Sequence, residues 1–85
     1  MDNDFLQRVI GVIAKTQHLD AAKIQLDSTY EELGIDSLDG VNILFHLESE
    51  FDIQIPDEAA KQIRTVRQTV EGVESLLVQK AAGAG

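Results

Sequence analysis

The stretch Leu33-Gly34-Ile35-Asp36-Ser37-Leu38-Asp39 is the most informative part of the sequence, because it contains a turn that leads directly into a helix. Gly34 permits backbone conformations that other residues resist, so it predicts a tight turn. Asp36 suits the N-cap position, where a carboxylate accepts hydrogen bonds from the unpaired N–H groups of the first helical turn. Ser37 would then lie in that first turn with its hydroxyl free to point into solvent.

Two longer helices are predicted on either side of this turn. Apolar side chains recur at helical spacing through residues 37–51, which predicts a helix that begins at the turn. Upstream, Phe5, Val9 and Ile13 repeat every four residues and mark one face of a helix over residues 4–16. Residues 17–35 lack sustained periodicity, but their regularly spaced apolar side chains indicate a long loop pinned to the core. These side chains belong to Leu19, Ile24, Leu26, Tyr30, Leu33 and Ile35.

The second half of the chain predicts two further helices. Pro56 disfavours a helical conformation at the residue before it, and Asp57 can cap a short helix that ends at residue 63. Thr65 can cap a last helix, whose apolar residues recur at intervals of four, three and four from Val66 to Leu77. We therefore expect an all-α fold, a small four-helix bundle with three longer helices, one short helix and a long loop between helices I and II. We expect the domain to span residues 1–80 and the tail, residues 81–85, to be disordered.

The composition limits the classes of function. The 85 residues suffice for one small domain, and 15 acidic residues against 7 basic ones give a net charge of −8. Such a surface repels nucleic acids, whose binding needs cationic side chains, and attracts basic patches on proteins. No apolar run approaches the ~20 residues needed to cross a bilayer, and the N-terminus lacks the basic region of a signal peptide. We expect a cytoplasmic protein that binds no nucleic acid and does not insert into membranes.

The surroundings of Ser37 suit a serine that carries a phosphate. A phosphate on its hydroxyl would lie at the positive end of the helix dipole, where anions are stabilised. Asp36 and Asp39 flank the hydroxyl with negative charge, which could help to hold a divalent cation during phosphoryl transfer. A serine at a helix start is also a common N-cap, so this pattern alone leaves both interpretations open.

A known family shows the same pattern. Gly34-Ile35-Asp36-Ser37-Leu38 resembles the attachment motif of acyl carrier proteins, in which the serine receives 4′-phosphopantetheine from coenzyme A. The resemblance covers roughly residues 4–78 and includes residues 30–33 before the motif and 51–58 after it. It implies that Ser37 is the attachment residue, with Gly34, Asp36 and Leu38 around it. It also implies a non-catalytic carrier, with no catalytic residues, that holds acyl groups as thioesters for fatty-acid, lipid or polyketide-type biosynthesis.

The resemblance implies an acyl pocket and a set of partners. The acyl chain would be held between helices II and III, with candidate lining residues Val41, Leu44, Phe45, Leu47, Ala60 and Ile63. The partners would be a phosphopantetheinyl transferase and an acyl-ligase, ketosynthase or acyltransferase with basic patches, and the carrier would be a monomer. The surface of helix II that they contact would comprise Asp39, Asn42, His46, Glu48 and Glu50.

Some features depart from the family or leave alternatives open. Helix II has a less dense acidic face than is usual in carriers of fatty-acid synthesis, which favours a specialised carrier. More helix-favouring or acidic residues are common at the positions of Gly40, Asn42, His46 and Ser49. An aminoacyl or peptidyl carrier, or an acidic helical interaction module with an unmodified serine, remain alternatives. Two isolated histidines without cysteine predict no metal site. The aromatic residues are predicted to be core residues, with a second role for Phe45 in shaping the pocket; they are Phe5, Tyr30, Phe45 and Phe51.

Overall fold

The computed structural model describes residues 3–83 and contains four α-helices. They are α1 (Asn3–Gln17), α2 (Ser37–Phe51), α3 (Asp57–Gln62) and α4 (Val66–Gly83), with a short 3-10 helix at Ala21–Lys23 between α1 and α2. Within residues 3–83 the chain forms no strand, and its extended pairing is limited to an isolated antiparallel bridge between Thr29 and Thr65. The predicted all-α bundle, with one short helix and a long loop between α1 and α2, is confirmed.

Of the three residues predicted to cap the start of a helix, two accept a hydrogen bond there. The Asp36 side chain accepts a hydrogen bond from the Asp39 N–H at 2.9 Å and so caps α2, as predicted. The Thr65 hydroxyl accepts one from the Gln68 N–H at 3.1 Å at the start of α4. The predicted cap at Asp57 is wrong, because Pro56 holds the N-cap position of α3 without a side-chain hydrogen bond and Asp57 is the first helical residue.

The last helix extends past the predicted end of the domain at residue 80 and reaches Gly83. The predicted disorder of the tail over residues 81–85 is therefore wrong for residues 81–83, which continue α4. Residues 84–85 lie outside the described part of the chain, as do residues 1–2, and their disorder stays a prediction. None of the helices within residues 3–83 is long and apolar enough to cross a membrane.

The core lies between α1, α2, α4 and the loop. Its fully buried large side chains come from the three longer helices, namely Val9, Ile13, Ile43, Leu47, Val66, Val70 and Val73. The loop contributes Ile24, Tyr30 and Ile35 as buried residues, and its remaining apolar side chains pack against the cluster, so the loop is pinned as its spacing predicted. The prediction that Phe45 is a core residue is wrong: its side chain is 62% exposed, because it points away from the core-facing side of α2.

The loop runs antiparallel to the segment that starts α4. Tyr30 donates its N–H to the carbonyl of Arg64 at 2.9 Å, and Val66 and Arg67 donate theirs to Ser28 and Leu26 at 3.0 and 2.9 Å. The N–H groups at the start of a helix have no partner within it. The carbonyls of the loop therefore complete the first turn of α4, and the two segments hold each other in register.

Tyr30 connects three parts of the fold. Its carbonyl accepts the N–H of Ile35 at 2.9 Å, just before α2, and its hydroxyl is 2.5 Å from the hydroxyl of Thr69 on α4. Its ring packs beside α2, where a Cβ at Gly40 would lie 3.7 Å from two ring carbons. Burial raises the pKa of the Tyr30 phenol. The ring thus packs between the loop and α2, at a distance where even a Cβ at Gly40 would make an ordinary van der Waals contact with it.

The conformation of Gly34 is the first testable requirement of the turn. Gly34 has φ +75°, whereas Gly11 lies within α1, and a Cβ at either position would meet nothing within 4 Å. We expect Gly34→Ala to lower the free energy of unfolding by about 1 kcal/mol, because only the backbone strain of a left-handed residue is added. Gly11→Ala, the matched control, should raise it by about 0.5–1 kcal/mol. Urea denaturation measures both, and equal stabilisation by the two alanines would contradict the assigned turn.

The hydroxyl pair of Tyr30 and Thr69 is the second requirement. Each single replacement, Tyr30→Phe or Thr69→Val, removes one partner of a buried hydrogen bond and should cost about 1–3 kcal/mol. The double variant should cost less than the sum of the two, because no buried hydroxyl of the pair is then left without its partner. A double-mutant cycle by thermal or urea unfolding measures this coupling. Strictly additive effects would mean that the two hydroxyls do not interact.

Candidate functional site

The structure places Ser37 as the first residue of α2, with an exposed side chain. The N-cap position belongs to Asp36, whose carboxylate already holds the Asp39 N–H. The interpretation of Ser37 as an N-cap serine is therefore excluded, and its hydroxyl is not used to complete the helix. The N–H groups of Ser37 and Leu38 lie in the first turn, where the helix offers them no carbonyl. They can serve an anionic group attached to the serine.

The turn before α2 holds this serine at the surface. Gly34 adopts the left-handed conformation and is exposed, while the next residue, Ile35, is buried and bonded through its N–H to Tyr30. The chain therefore emerges from the core at Ile35 and reaches solvent at Asp36. The position of Ser37 is set by a buried anchor two residues before it.

An open groove of about 1010 Å³ begins at Ser37. One side is formed by α2 and α3, and four of the predicted pocket residues line it: Val41, Leu44, Ala60 and Ile63. The loop and the start of α4 supply the other side, with Tyr30, Thr65 and Gln68 among its residues. The groove is large enough to receive a chain of several carbons that starts from the serine.

The other two predicted pocket residues do not line this groove. Leu47 is fully buried within the core, one turn beyond Leu44 on α2. Phe45 lies on the outer side of the same helix and is exposed. Sequence reasoning missed Tyr30 and the polar residues near the start of α4, because no periodicity links the loop to that helix. The spaced apolar side chains of the loop were the available signal, since they bring the loop onto the core beside α4.

Two of the acidic side chains on the predicted partner surface of α2 already make bonds within the chain. Glu48 is half-buried and accepts the N–H of Ile55 at 2.8 Å, and Glu50 pairs with Arg8 at 3.0 Å. Asp39 is half-buried near the N-terminus of the helix, while Asn42 and His46 are exposed. The exposed apolar residues of the outer face are prominent beside them, with Leu38 at 81%, Phe45 at 62% and Val41 at 45% exposure.

Comparisons with known proteins point to one family. The family described as "Phosphopantetheine attachment site" matches residues 7–77. A protein named acyl carrier protein from Prochlorococcus marinus (strain MIT 9515) is 38% identical over 73 residues, which are 85% of this chain and 91% of that protein.

Two solved structures share the fold. The crystal structure of an acyl carrier protein from Thermotoga maritima superposes with a TM-score of 0.77 at 26% identity and covers 85% of each chain. Solution structures of the hexanoyl carrier protein of the actinorhodin polyketide synthase from Streptomyces coelicolor give a TM-score of 0.72 at 29% identity, over 93% of each chain. The matched family, the relative and these two structures agree in their description. The chain therefore belongs to the acyl carrier proteins, the family that bears the phosphopantetheine attachment site.

Proposed function

We propose that Ser37 is the residue that receives phosphopantetheine. We further propose that the carrier delivers acyl groups to enzymes of fatty-acid, lipid or polyketide-type biosynthesis. The observation that carries the proposal is the position of Ser37. Its hydroxyl is exposed at the start of α2, released from capping by Asp36, and placed where the groove begins.

The residues around Ser37 fit the prosthetic group. The serine hydroxyl can form the phosphodiester, and the unpaired N–H groups of the first turn, at Ser37 and Leu38, can stabilise its negative charge. When bound, the group supplies a terminal thiol on which acyl chains are held as thioesters. The apolar side of the groove, with Val41, Leu44 and Ile63, can shield such a chain from water. Each methylene that leaves water contributes about 0.8 kcal/mol, so a chain of several carbons has a reason to enter.

The attachment reaction needs a separate enzyme. The Ser37 oxygen forms a bond to phosphorus while the pyrophosphate bond of coenzyme A breaks, and adenosine 3′,5′-bisphosphate leaves with the electron pair. The serine proton passes to a base, which a phosphopantetheinyl transferase must supply. On the carrier, the carboxylates of Asp36 and Asp39 lie next to the serine in sequence and can assist a divalent cation in that complex.

The partner enzymes are expected to combine basic and apolar contacts. The net charge of −8 favours encounter with the basic patches of a transferase, an acyl-ligase, a ketosynthase or an acyltransferase. The exposed side chains of Leu38, Val41 and Phe45 follow α2 away from the serine at helical spacing. Since Glu48 and Glu50 already bond within the chain, these apolar residues together with Asn42 and His46 supply much of the contact surface. We propose that these partner enzymes act on the carrier in the cytoplasm.

Two alternatives belong to different classes. An aminoacyl or peptidyl carrier would use the same serine with another cargo, and an acidic interaction module would leave the serine unmodified. The names of the similar proteins, an acyl carrier protein and the acyl carrier protein of a polyketide synthase, favour the acyl carrier over both alternatives. The exposed and uncommitted hydroxyl of Ser37 argues further against the interaction module.

Intact-mass analysis tests the proposal directly. Purified protein is incubated with coenzyme A, Mg²⁺ and a phosphopantetheinyl transferase of broad specificity, and its mass is recorded before and after. We expect the wild type to gain one phosphopantetheine unit, because the Ser37 hydroxyl is accessible and its first-turn N–H groups are unpaired.

The variants decide which serine is modified. Ser37→Ala should gain no mass, whereas Ser49→Ala, which removes an exposed serine elsewhere on α2, should be modified like the wild type. Circular dichroism confirms that each variant is folded. Modification of Ser37→Ala, or no modification of a folded wild type that starts without the group, would contradict the assignment.

A further inference from the structure

The side of the groove opposite its apolar residues carries hydrogen-bonding groups. Tyr30 and Gln68 line the groove, and the hydroxyl of Tyr30 bonds to Thr69, which is fully buried behind it. A saturated acyl chain offers no partner to such groups, and polar atoms covered without a partner are destabilising. The hydrogen bonds that Tyr30 and Gln68 already make determine which donors and acceptors remain for a carried acyl chain.

The protons of the hydroxyl pair can be assigned by counting. Thr69 donates its hydroxyl proton to the carbonyl of Thr65 at 2.9 Å. A hydroxyl has one proton, so the bond between Thr69 and Tyr30 must use the proton of Tyr30. The phenol oxygen of Tyr30 then keeps only its capacity to accept, and within residues 3–83 no group donates to it. An unused acceptor therefore lies at a residue that lines the groove.

Gln68 offers the opposite function. Its side-chain oxygen accepts the N–H groups of Arg64 and Thr65 at 2.7 and 3.2 Å, which fixes the orientation of the amide. The amide nitrogen keeps two protons that no acceptor in the described part of the chain takes up. Two of the residues that line the groove thus carry opposite functions, an acceptor at Tyr30 and donors at Gln68.

We propose that the groove selects oxygenated acyl chains over saturated chains of the same length. A hydroxyl of the cargo donates to the phenol oxygen of Tyr30, and a hydroxyl or keto oxygen accepts from the amide of Gln68. The low exposure of Tyr30, 8%, strengthens such a bond, because a hydrogen bond shielded from water is electrostatically stronger. This specificity rests on the proposed function, since the cargo reaches the groove from the arm on Ser37.

Thermal unfolding of loaded protein tests the selectivity. Three forms are compared: the protein carrying unacylated phosphopantetheine, and the same arm bearing octanoyl or 3-hydroxyoctanoyl through a stable amide. Intact mass first establishes that each form is loaded. We expect the hydroxylated chain to raise Tm above that of the octanoyl form by roughly 4–8 °C, the shift that one net hydrogen bond produces in a domain of this size.

Two readouts separate direct contact from general stabilisation. Tyr30 is the single tyrosine of the chain, so the resonance of its hydroxyl-bearing ring carbon reports on this oxygen alone. It should move with the hydroxylated chain and not with octanoyl. In Tyr30→Phe/Thr69→Val the Tm difference between the two acyl forms should become smaller, because only the bond to Gln68 remains. The full difference should persist in Thr16→Val, the matched control, whose hydroxyl bonds to Ile13 on α1 outside the groove.

Several outcomes would overturn the inference. Equal or greater stabilisation by octanoyl in the wild type would mean that the groove does not select oxygen, and stabilisation by neither chain would mean that the cargo stays outside. A shift of the tyrosine resonance when the unacylated arm is attached would mean that the amides of the arm, and not the cargo, donate to Tyr30. In these cases the carrier function stands, because loading was established by mass. Failure to load at all would instead contradict the proposed function and the inference with it.

Discussion

The hydrogen bonds of Tyr30 hold the loop, α2 and α4 in one arrangement, and the site depends on them. The main chain of Tyr30 bonds to Arg64 on one side and to Ile35 on the other, and its hydroxyl reaches Thr69 inside the bundle. An 85-residue chain buries little apolar surface for its length, so a long loop can be ordered only if its own groups join the core. Here the loop contributes both apolar side chains and the carbonyls that complete α4.

The same arrangement positions Ser37, the proposed attachment residue, and shapes the groove. Ile35 is anchored by Tyr30, and Ser37 emerges two residues later at the start of a helix whose cap is already filled. The ring of Tyr30 lies against α2 at Gly40, beside the groove. A carrier of this kind needs no catalytic group of its own. It needs an exposed hydroxyl that partner enzymes can reach and a nearby surface on which the cargo can rest.

Much of the fold could be predicted from the sequence, because periodicity and capping are local properties. The span of α2, the cap at Asp36 and the turn at Gly34 follow from residue types within one turn of each other. The start of α3 could not be predicted as well, since Pro56 and Asp57 both suit a helix start. The exposure of Phe45 was not predictable either, because the apolar face of α2 is too broad for its spacing to show which side meets the core.

The polar side of the groove depends on contacts that no local pattern contains. Tyr30 and Thr69 lie 39 residues apart, and their pairing arises only because the loop crosses the start of α4. Likewise, the amide of Gln68 is oriented by N–H groups of the segment before its own helix. The sequence could therefore predict a serine as the proposed attachment residue, whereas the polar groups at the groove could be found only from the tertiary structure.

Native-state hydrogen exchange tests most directly whether the contact between the loop and the start of α4 is an integral part of the fold. The amides of Tyr30 and Val66 donate to carbonyls across this contact, and the amide of Ile35 donates to the carbonyl of Tyr30 within the loop. They should exchange only with a free energy close to that of global unfolding, like core amides of α2. Exchange of these three amides through a low-energy local opening, with α2 still protected, would show that the loop is a separate mobile segment. Tyr30 would then not determine the position of Ser37.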